Sequence, residues 1–196
     1  MSQKNRAIIF ITEGDTDAYF YEQVLTALDL KQRFIGRFKI INSKSVAKIQ
    51  NKGFNKCREY IKDKKISTAY IFVCFDEDVF HRNQKPPLNY AQLKTRLKGL
   101  AGVELVEKIV ATKQIEDWFL LDLEGICQYL NIKVKDVSGT GEERLKQLFK
   151  KANKVYVKGR NIENGKFIDS LDMDLVTSKM KAQLTIIEKI ITSSLY

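Results

Sequence analysis

The chain has 196 residues, of which 44% are hydrophobic, and it carries a formal charge of +10 with an isoelectric point near 9.4. It has no apolar run close to the ~20 residues that a membrane-spanning helix needs. Its three cysteines, Cys57, Cys74 and Cys127, lack the paired spacing of a zinc site or a disulfide framework. These features exclude a membrane-spanning or disulfide-stabilised protein and favour a cytoplasmic protein with its own core.

Strands and helices are predicted to alternate along the first 120 or so residues. Apolar, β-branched runs predict buried strands at residues 7–12, 38–42, 69–75 and 103–111. Apolar positions at helical spacing predict a helix after each strand, beginning near residues 15, 46, 89 and 114. This alternation predicts an α/β fold, a mostly parallel four-stranded sheet flanked by helices, with strand 69–75 in its centre.

The last third of the chain is predicted to be mainly helical. Thr140 and Glu143 form a capping-box pattern that opens a helix at residues 141–152. A short strand is expected at 155–157 and a final helix at roughly 175–192. The predicted division is a core at residues 1–125 and a helical C-terminal extension, packed on the same domain, at residues 126–196.

Acidic residues follow two of the predicted strands. Glu13 comes directly after the first strand and before Gly14, and Asp76-Glu77-Asp78 comes directly after the third. The carboxyl ends of parallel strands meet at one edge of a sheet, where ligands bind. Carboxylate oxygens suit Mg²⁺ or Mn²⁺, so Asp76, Asp78 and Glu13 are candidate metal ligands, and Glu13 is also a candidate general acid or base. The alternatives are a polar turn after the strand and an acid that complements a helix dipole.

The excess positive charge is concentrated in two segments. In residues 31–65 the many lysines and arginines are opposed only by Glu59 and Asp63, and a second cluster runs from Lys146 to Arg160. Basic surface of this kind attracts phosphate backbones, although a solvated face that maintains solubility remains the alternative. The candidate nucleic-acid contacts are Lys44, Lys48, Lys52, Arg82, Lys158 and Arg160.

The two acidic motifs together resemble the Toprim domain. The pattern consists of Glu13-Gly14-x-x-Asp17 after the first strand and Asp76-x-Asp78 after a later one. Toprim is the catalytic module of topoisomerases, bacterial primases, recombination-repair proteins and OLD-family nucleases. The resemblance implies a small parallel sheet flanked by helices, an acid–base role for Glu13, and Mg²⁺ binding by Asp76 and Asp78.

A further motif extends the resemblance to roughly residues 7–190. The segment Ile115-Glu116-x-Trp118-x-Leu120-x-Asp122 is similar to the E-x-W-x-L-x-D segment of small stand-alone Toprim-like proteins, including RloB-like proteins found beside restriction and phage-defence genes. The Lys that follows in that group resembles Lys158 in Val155-Tyr156-Val157-Lys158. By this match, Glu116 is a third catalytic carboxylate and Lys158 neutralises charge on the scissile phosphate. The alternative for Glu116 is an exposed helix acid beside Trp118, and the alternative for Lys158 is an ordinary surface lysine.

The sequence therefore predicts a Mg²⁺- or Mn²⁺-dependent nuclease of Toprim type, acting on DNA or RNA in phage defence or mobile-element biology. The alternative is a catalytically inactive Toprim-like protein that acts as an interference or regulatory factor through a protein partner from a defence or mobile-element operon. An unrelated dinucleotide-binding or P-loop domain is disfavoured, because neither G-x-G-x-x-G nor G-x-x-x-x-G-K-[ST] occurs. A homodimer is compatible with the sequence.

Overall fold

The chain forms a four-stranded, all-parallel sheet with helices on both faces. It is seen in a computed structural model that describes residues 5–29, 34–77, 87–111, 113–133, 137–158 and 166–193. The strand order is β2-β1-β3-β4. The predicted α/β class and the central place of the third strand are confirmed. The strands are β1 Arg6–Thr12, β2 Arg37–Asn42, β3 Thr68–Asp76 and β4 Val103–Ala111.

The two central strands are buried almost throughout, which explains their continuous apolar sequences. In β1, every residue from Ala7 to Thr12 is buried, and β3 is buried except at Tyr70. Helices cover both faces of a parallel sheet, so both sets of alternating side chains must be apolar. The edge strands β2 and β4 are less buried, and each has two exposed positions, Arg37 and Lys39 in β2 and Glu104 and Lys108 in β4.

Helices follow each strand and make up most of the described C-terminal part. A π-helical segment, Ile49–Gly53, joins α2 to α3, and a 3₁₀ segment, Leu120–Asp122, joins α5 to α6. Within the described ranges, none of the helices has the length and apolar character that a membrane crossing requires. Residues 166–169 are also helical, and the helices with both ends described are α1 Asp15–Asp29, α2 Val46–Lys48, α3 Phe54–Asp63, α4 Tyr90–Lys98, α5 Glu116–Phe119, α6 Leu123–Leu130, α7 Gly141–Lys151, α8 Met173–Lys179 and α9 Lys181–Ser193.

Two hydrophobic clusters lie on opposite faces of the sheet. One is formed with α2, α3, α4 and the π-helical segment, and it includes Ile9 and Ile71. The other is formed with α1 and the C-terminal helices, and it includes Ile8 and Phe72. In this second cluster Phe119 contacts both Phe20 and Phe167, with ring centroids 5.1 Å and 5.4 Å apart. The described C-terminal helices therefore share a core with the sheet.

Three local predictions differ from the structure. Residues 155–157 were expected to form a strand, but they are irregular and are not one of the four strands of the sheet. The final helix is two helices that meet at Met180, which is buried, so the apolar spacing continues across the break and conceals it. The helix after β2 contains the π-helical turn. The capping box of Thr140 and Glu143 is confirmed.

Candidate active site

The carboxyl ends of the two central strands bring the two acidic motifs together. Glu13 follows the last residue of β1, and Asp76 is the last residue of β3, its direct neighbour in the sheet. The backbone N–H of Asp76 donates a hydrogen bond of 2.9 Å to Glu13 Oε1. The carboxyl ends of β1 and β3 are therefore in contact, as the parallel pairing of these two strands predicts.

Asp76 also connects β3 to two later parts of the chain. Its Oδ1 accepts a 2.8 Å hydrogen bond from the backbone N–H of Ile115, immediately before α5. Its Oδ2 is 3.0 Å from Lys158 Nζ. Both carboxylate oxygens thus have a protein donor, and the Asp76 side chain is buried. Asp76 is therefore not part of a solvent-exposed polar turn, which was the alternative interpretation of this motif.

Glu116 is fully buried at the start of α5. Its Oε2 is 3.1 Å from Lys158 Nζ, and its Oε1 accepts a 3.0 Å hydrogen bond from the Tyr156 hydroxyl. The exposed helix acid considered for this position is therefore wrong. Val155 is 73% exposed, whereas Tyr156 is buried in the same irregular segment. This alternation produced the strand-like pattern, and it directs Tyr156 towards Glu116.

Asp17 is a further member of the site that the sequence-based list of site residues omitted. It lies in the first turn of α1 and is buried. Its pKa is affected by both Lys158 and Glu116, which places it near them. The available signal was its place as the last residue of Glu13-Gly14-x-x-Asp17. Asp15, by contrast, pairs with Lys44 at 2.5 Å and lies apart from these contacts.

The carboxyl groups hold raised pKa values because they are buried close to one another. Burial, with repulsion from Asp17 and Asp76, raises the pKa of Glu13 to about 8 even though the Asp76 backbone N–H opposes the shift. Burial likewise raises the pKa of Asp76 to about 7 and of Asp17 to about 6, while Lys158 lowers both. Burial acts to lower the pKa of Lys158, but Asp76 and Glu116 outweigh it and the net shift is upward. For Glu13, Asp17 and Asp76, the cost of burial thus exceeds the stabilisation that Lys158 provides to their charged forms. With Glu116, these residues form the acidic cluster.

The chemistry of this cluster suits a hard divalent cation, although the described residues do not complete a metal site. Carboxylate oxygens that repel one another are the donors Mg²⁺ and Mn²⁺ prefer. However, the described ranges contain no group of three or more His, Cys, Asp or Glu side chains that could hold a metal ion. Asp78, expected to be a ligand with Asp76 and Glu13, lies outside those ranges.

The candidate nucleic-acid contacts fall into three groups: exposed lysines after β2, Lys158 in the acidic cluster, and two arginines outside the described residues. Lys44, Lys48 and Lys52 are exposed. They come soon after the carboxyl end of β2, which lies at the same sheet edge as the acids. Lys44 is engaged with Asp15, and Lys56, not predicted as a contact, donates from Nζ to the Asn42 carbonyl at 3.3 Å. Lys158 contacts Asp76 and Glu116 in the acidic cluster, so it is not an ordinary surface lysine, which was the alternative interpretation. Arg82 and Arg160 lie outside the described residues.

Asp122, the last residue of the E-x-W-x-L-x-D motif, has a structural position. Its Oδ1 accepts from the backbone N–H of Gly125 at 3.0 Å and caps α6. Its Oδ2 accepts from the backbone N–H of Asp172 at 2.8 Å, immediately before α8. Asp122 therefore fixes the C-terminal helices relative to the segment that begins with Glu116.

Comparison with known proteins supplies no relative. No protein-family model, no curated protein and no solved structure matches this chain. What the protein does must therefore be inferred from the geometry of its sheet edge and from the residues gathered there.

Proposed function

We propose that the protein is a metal-dependent nuclease of Toprim type that hydrolyses phosphodiester bonds. The observation that supports this proposal is the convergence of Glu13, Asp17, Asp76 and Glu116 around Lys158 at the carboxyl edge of the sheet. Burying several carboxyl groups together opposes folding, because each loses hydration and repels the others. Groups with pKa values perturbed in this way cluster at functional sites.

The proposed roles combine the contacts of the described residues with the resemblance to Toprim, which alone supplies the role of Asp78. Asp76, Asp78 and Glu13 would hold Mg²⁺ or Mn²⁺, which when bound polarises a phosphate and promotes ionisation of water. Glu13, whose pKa is about 8, is protonated at neutral pH in the absence of metal and can hold or donate a proton at its carboxyl oxygens. Lys158 would neutralise charge on the scissile phosphate, while Glu116 holds the lysine ammonium at the site.

Nucleic acid is the proposed substrate because of where the basic side chains lie. Lys48 and Lys52 are exposed in the segment that follows the carboxyl end of β2, where they can contact the phosphate backbone of a strand bound at the acidic cluster. Such contacts position a strand without selecting a sequence. The resemblance to Toprim-like proteins adds a cytoplasmic role in phage defence or mobile-element biology to the proposal.

The proposal is tested by a cleavage assay on labelled plasmid, single-stranded DNA and tRNA with Mg²⁺ or Mn²⁺. Wild type is compared with Asp76→Asn, Glu13→Gln and the control Asp15→Asn, which removes an acid at the same edge that pairs with Lys44. We expect metal-dependent cutting that falls about 10²-fold or more in the first two variants and persists in the control. Folded protein that cuts none of these substrates with added metal, or cutting that survives both site substitutions, would contradict the proposal.

A second candidate function, a catalytically inactive binding protein acting through a protein partner, is favoured by one observation. All four oxygens of Asp76 and Glu116 already have donors in Ile115, Tyr156 and Lys158, so these two carboxylates are satisfied without a metal. This function predicts no metal-dependent thermal stabilisation of the wild type. It also predicts that partner binding and biological effect are unchanged in Asp76→Asn.

A further inference from the structure

We propose that the helices on one face of the sheet form a docking surface for the phosphate backbone of a DNA duplex, with Arg58 and Arg96 at its centre. This basic layer consists of α2, the π-helical segment, α3 and α4, which share one hydrophobic cluster with the sheet. Because the surface names the form in which nucleic acid reaches the acidic cluster, it rests on the proposed function and deepens it.

The positive charge of the chain is distributed unevenly between the two faces of the sheet. The basic layer contains eight lysines and arginines and only two acids, Glu59 and Asp63. In α1 and α5 to α9, which cover the other face, acidic residues outnumber basic ones. A face with such an excess of positive charge attracts a polyanion and concentrates it at the surface.

Two arginines of the basic layer are held at a single phenyl ring. The guanidinium carbon of Arg96 lies 4.0 Å from the centroid of the Phe54 ring, and that of Arg58 lies 5.8 Å from it. Among the described residues, neither arginine forms an ion pair with a carboxylate. Two like charges beside one ring repel each other, and an anion bound to both removes that repulsion. Because the guanidinium fork matches phosphate oxygens, the anion that fits this pair is a phosphate group.

The π-helical segment fixes Arg96 before any ligand binds. Arg96 Nη1 donates to the backbone carbonyl of Gln50 at 2.9 Å and lies 3.4 Å from Asn51 Oδ1. Within the described part of the chain, only this nitrogen of the guanidinium group is hydrogen-bonded, so the other two remain for a phosphate. A side chain that is already ordered loses less conformational entropy on binding.

Further cations extend the surface around the arginine pair. Arg58 is exposed, and one helical turn later Lys62 is exposed as well. Lys98 is exposed at the end of α4, and Lys39 on the edge strand β2 lies 5.7 Å from the centroid of the Tyr60 ring. A surface with cations on two neighbouring helices and an edge strand can contact several phosphates at once.

The aromatic rings of the basic layer favour a duplex over a single strand. Phe54 is buried, Tyr60 and Tyr90 are half-buried, and each ring has a lysine or arginine beside it. In the described ranges, none of the large hydrophobic side chains that are exposed is aromatic. Proteins that hold single strands stack the bases on exposed rings, whereas a duplex presents its phosphates. The basic layer therefore has the chemistry of duplex binding.

The polar side chains of the basic layer favour DNA over RNA in that duplex. Gln50 Nε2 donates to Gln92 Oε1, and Gln50 Oε1 accepts from the backbone N–H of Asn89 at 2.9 Å. Asn89 Oδ1 accepts in turn from the backbone N–H of Gln92 at 3.0 Å. An RNA duplex is recognised partly through its 2′-hydroxyl groups, which need uncharged donors and acceptors of this kind. Because these groups bond one another, the lysines and arginines that contact phosphate predominate.

The test measures the binding of a short labelled DNA duplex by fluorescence anisotropy in EDTA, which prevents metal-dependent cleavage. Wild type is compared with Arg58→Gln, with Arg58→Gln/Arg96→Gln and with the control Lys181→Gln/Lys189→Gln, which removes two exposed charges from α9 on the other face. We expect Kd to rise about tenfold for each arginine lost and less than about threefold in the control. The slope of log Kd against log salt should fall by about 0.9 for each arginine.

Three results would overturn the proposal. One is an affinity and a salt slope in the double arginine variant that match wild type, and another is equal weakening in the lysine control. The third is a single strand of the same sequence, or an RNA duplex, that binds wild type more tightly than the DNA duplex. Arg58 is exposed and forms no hydrogen bond with a described residue, so Arg58→Gln alone decides the first comparison if the double variant fails to fold.

Failure of this surface is distinguishable from failure of the proposed nuclease. Duplex binding that depends on Arg58 and Arg96, without cleavage of any substrate, removes the nuclease and supports the surface. Metal-dependent cleavage by wild type, together with unchanged duplex binding in the arginine variants, removes the surface alone. Wild type that neither binds the duplex nor cleaves any substrate removes both.

Discussion

At the scale of single residues, the site is held by hydrogen bonds between parts of the chain that are far apart in sequence. Asp76 joins the end of β3 to Ile115 and to Lys158, and Glu116 joins the start of α5 to Tyr156. Each bond satisfies a buried polar atom that would otherwise cost free energy. The geometry of the cluster therefore depends on the fold being complete up to residue 158.

The Tyr156 hydroxyl is expected to contribute measurably to stability. In Tyr156→Phe the ring keeps its contacts with Phe149 and Phe167, at centroid distances of 5.4 Å and 6.1 Å, but Glu116 Oε1 loses its donor in a buried position. We expect the free energy of unfolding to fall by about 1–3 kcal/mol, measured by urea denaturation. Tyr129→Phe, at a half-buried tyrosine on α6, is the control and should change it by less than about 0.5 kcal/mol. Equal effects would show that Glu116 does not need the hydroxyl.

Two of the residues that meet at this edge could be predicted from the sequence because they lie at the ends of strands that the local sequence reveals. Glu13 directly follows β1 and Asp76 is the last residue of β3, and a parallel sheet brings such strand ends together. Glu116 and Lys158 came from the resemblance. Tyr156 was not identified as a site residue, because its partner is forty residues away and no local pattern encodes that bond. The metal-ligand role of Asp78 stays a prediction.

At the scale of elements, the π-helical segment shapes the sheet edge beside the site. A Cβ at Gly53 would lie 2.7 Å from Ile11 Cγ2 and 2.7 Å from Ser43 Oγ, two side chains at the ends of β1 and β2. Only a glycine therefore permits this close approach of the helix to the strands. The segment carries Lys52, so its position also determines where that charge lies.

Gly53→Ala is expected to destabilise the protein by about 1–3 kcal/mol, because the added methyl group overpacks the contact with Ile11 and Ser43. The matched control is Gly99→Ala at the end of α4, where the nearest atom to a Cβ is 3.5 Å away. That control should be neutral or stabilising by up to about 1 kcal/mol. Denaturant unfolding of both variants checks the prediction, and a neutral Gly53→Ala would show that the helix can withdraw from the sheet.

Regular elements were predictable from the sequence, whereas their interruptions were not. Strands β1 and β3 are long apolar runs. A parallel strand that is buried on both faces must be apolar at nearly every position, so its sequence is easy to recognise. The π-helical turn and the break at Met180 leave the apolar spacing intact, so hydrophobic periodicity does not reveal them.

At the scale of the whole molecule, the chain carries a net charge of +10 and yet buries several acidic side chains at one edge of its sheet. The burial of these acids makes the stability of the protein depend on pH. The pKa values of Glu13, Asp76 and Asp17 rise from ordinary values of 4.5, 3.8 and 3.8 to about 8, 7 and 6. Between these limits the folded state binds more protons than the unfolded state, so stability falls as pH rises. The contribution of the three groups is fully present below their ordinary pKa values and is lost as pH rises through 6, 7 and 8.

Metal-free protein is therefore expected to be more stable at pH 5.5 than at pH 8.5, by at least about 1 kcal/mol, in denaturant unfolding with EDTA. Glu13→Gln removes the group with the highest pKa of the three and should make the dependence shallower, mainly between pH 7 and 8.5. Mn²⁺ prefers ionised carboxylates, so it should stabilise the protein more at pH 8.5 than at pH 5.5 and reduce the difference. Stability that does not fall from pH 5.5 to 8.5 without metal would contradict the prediction, and constant stability would show that these carboxyl groups are ionised in the folded state throughout that range.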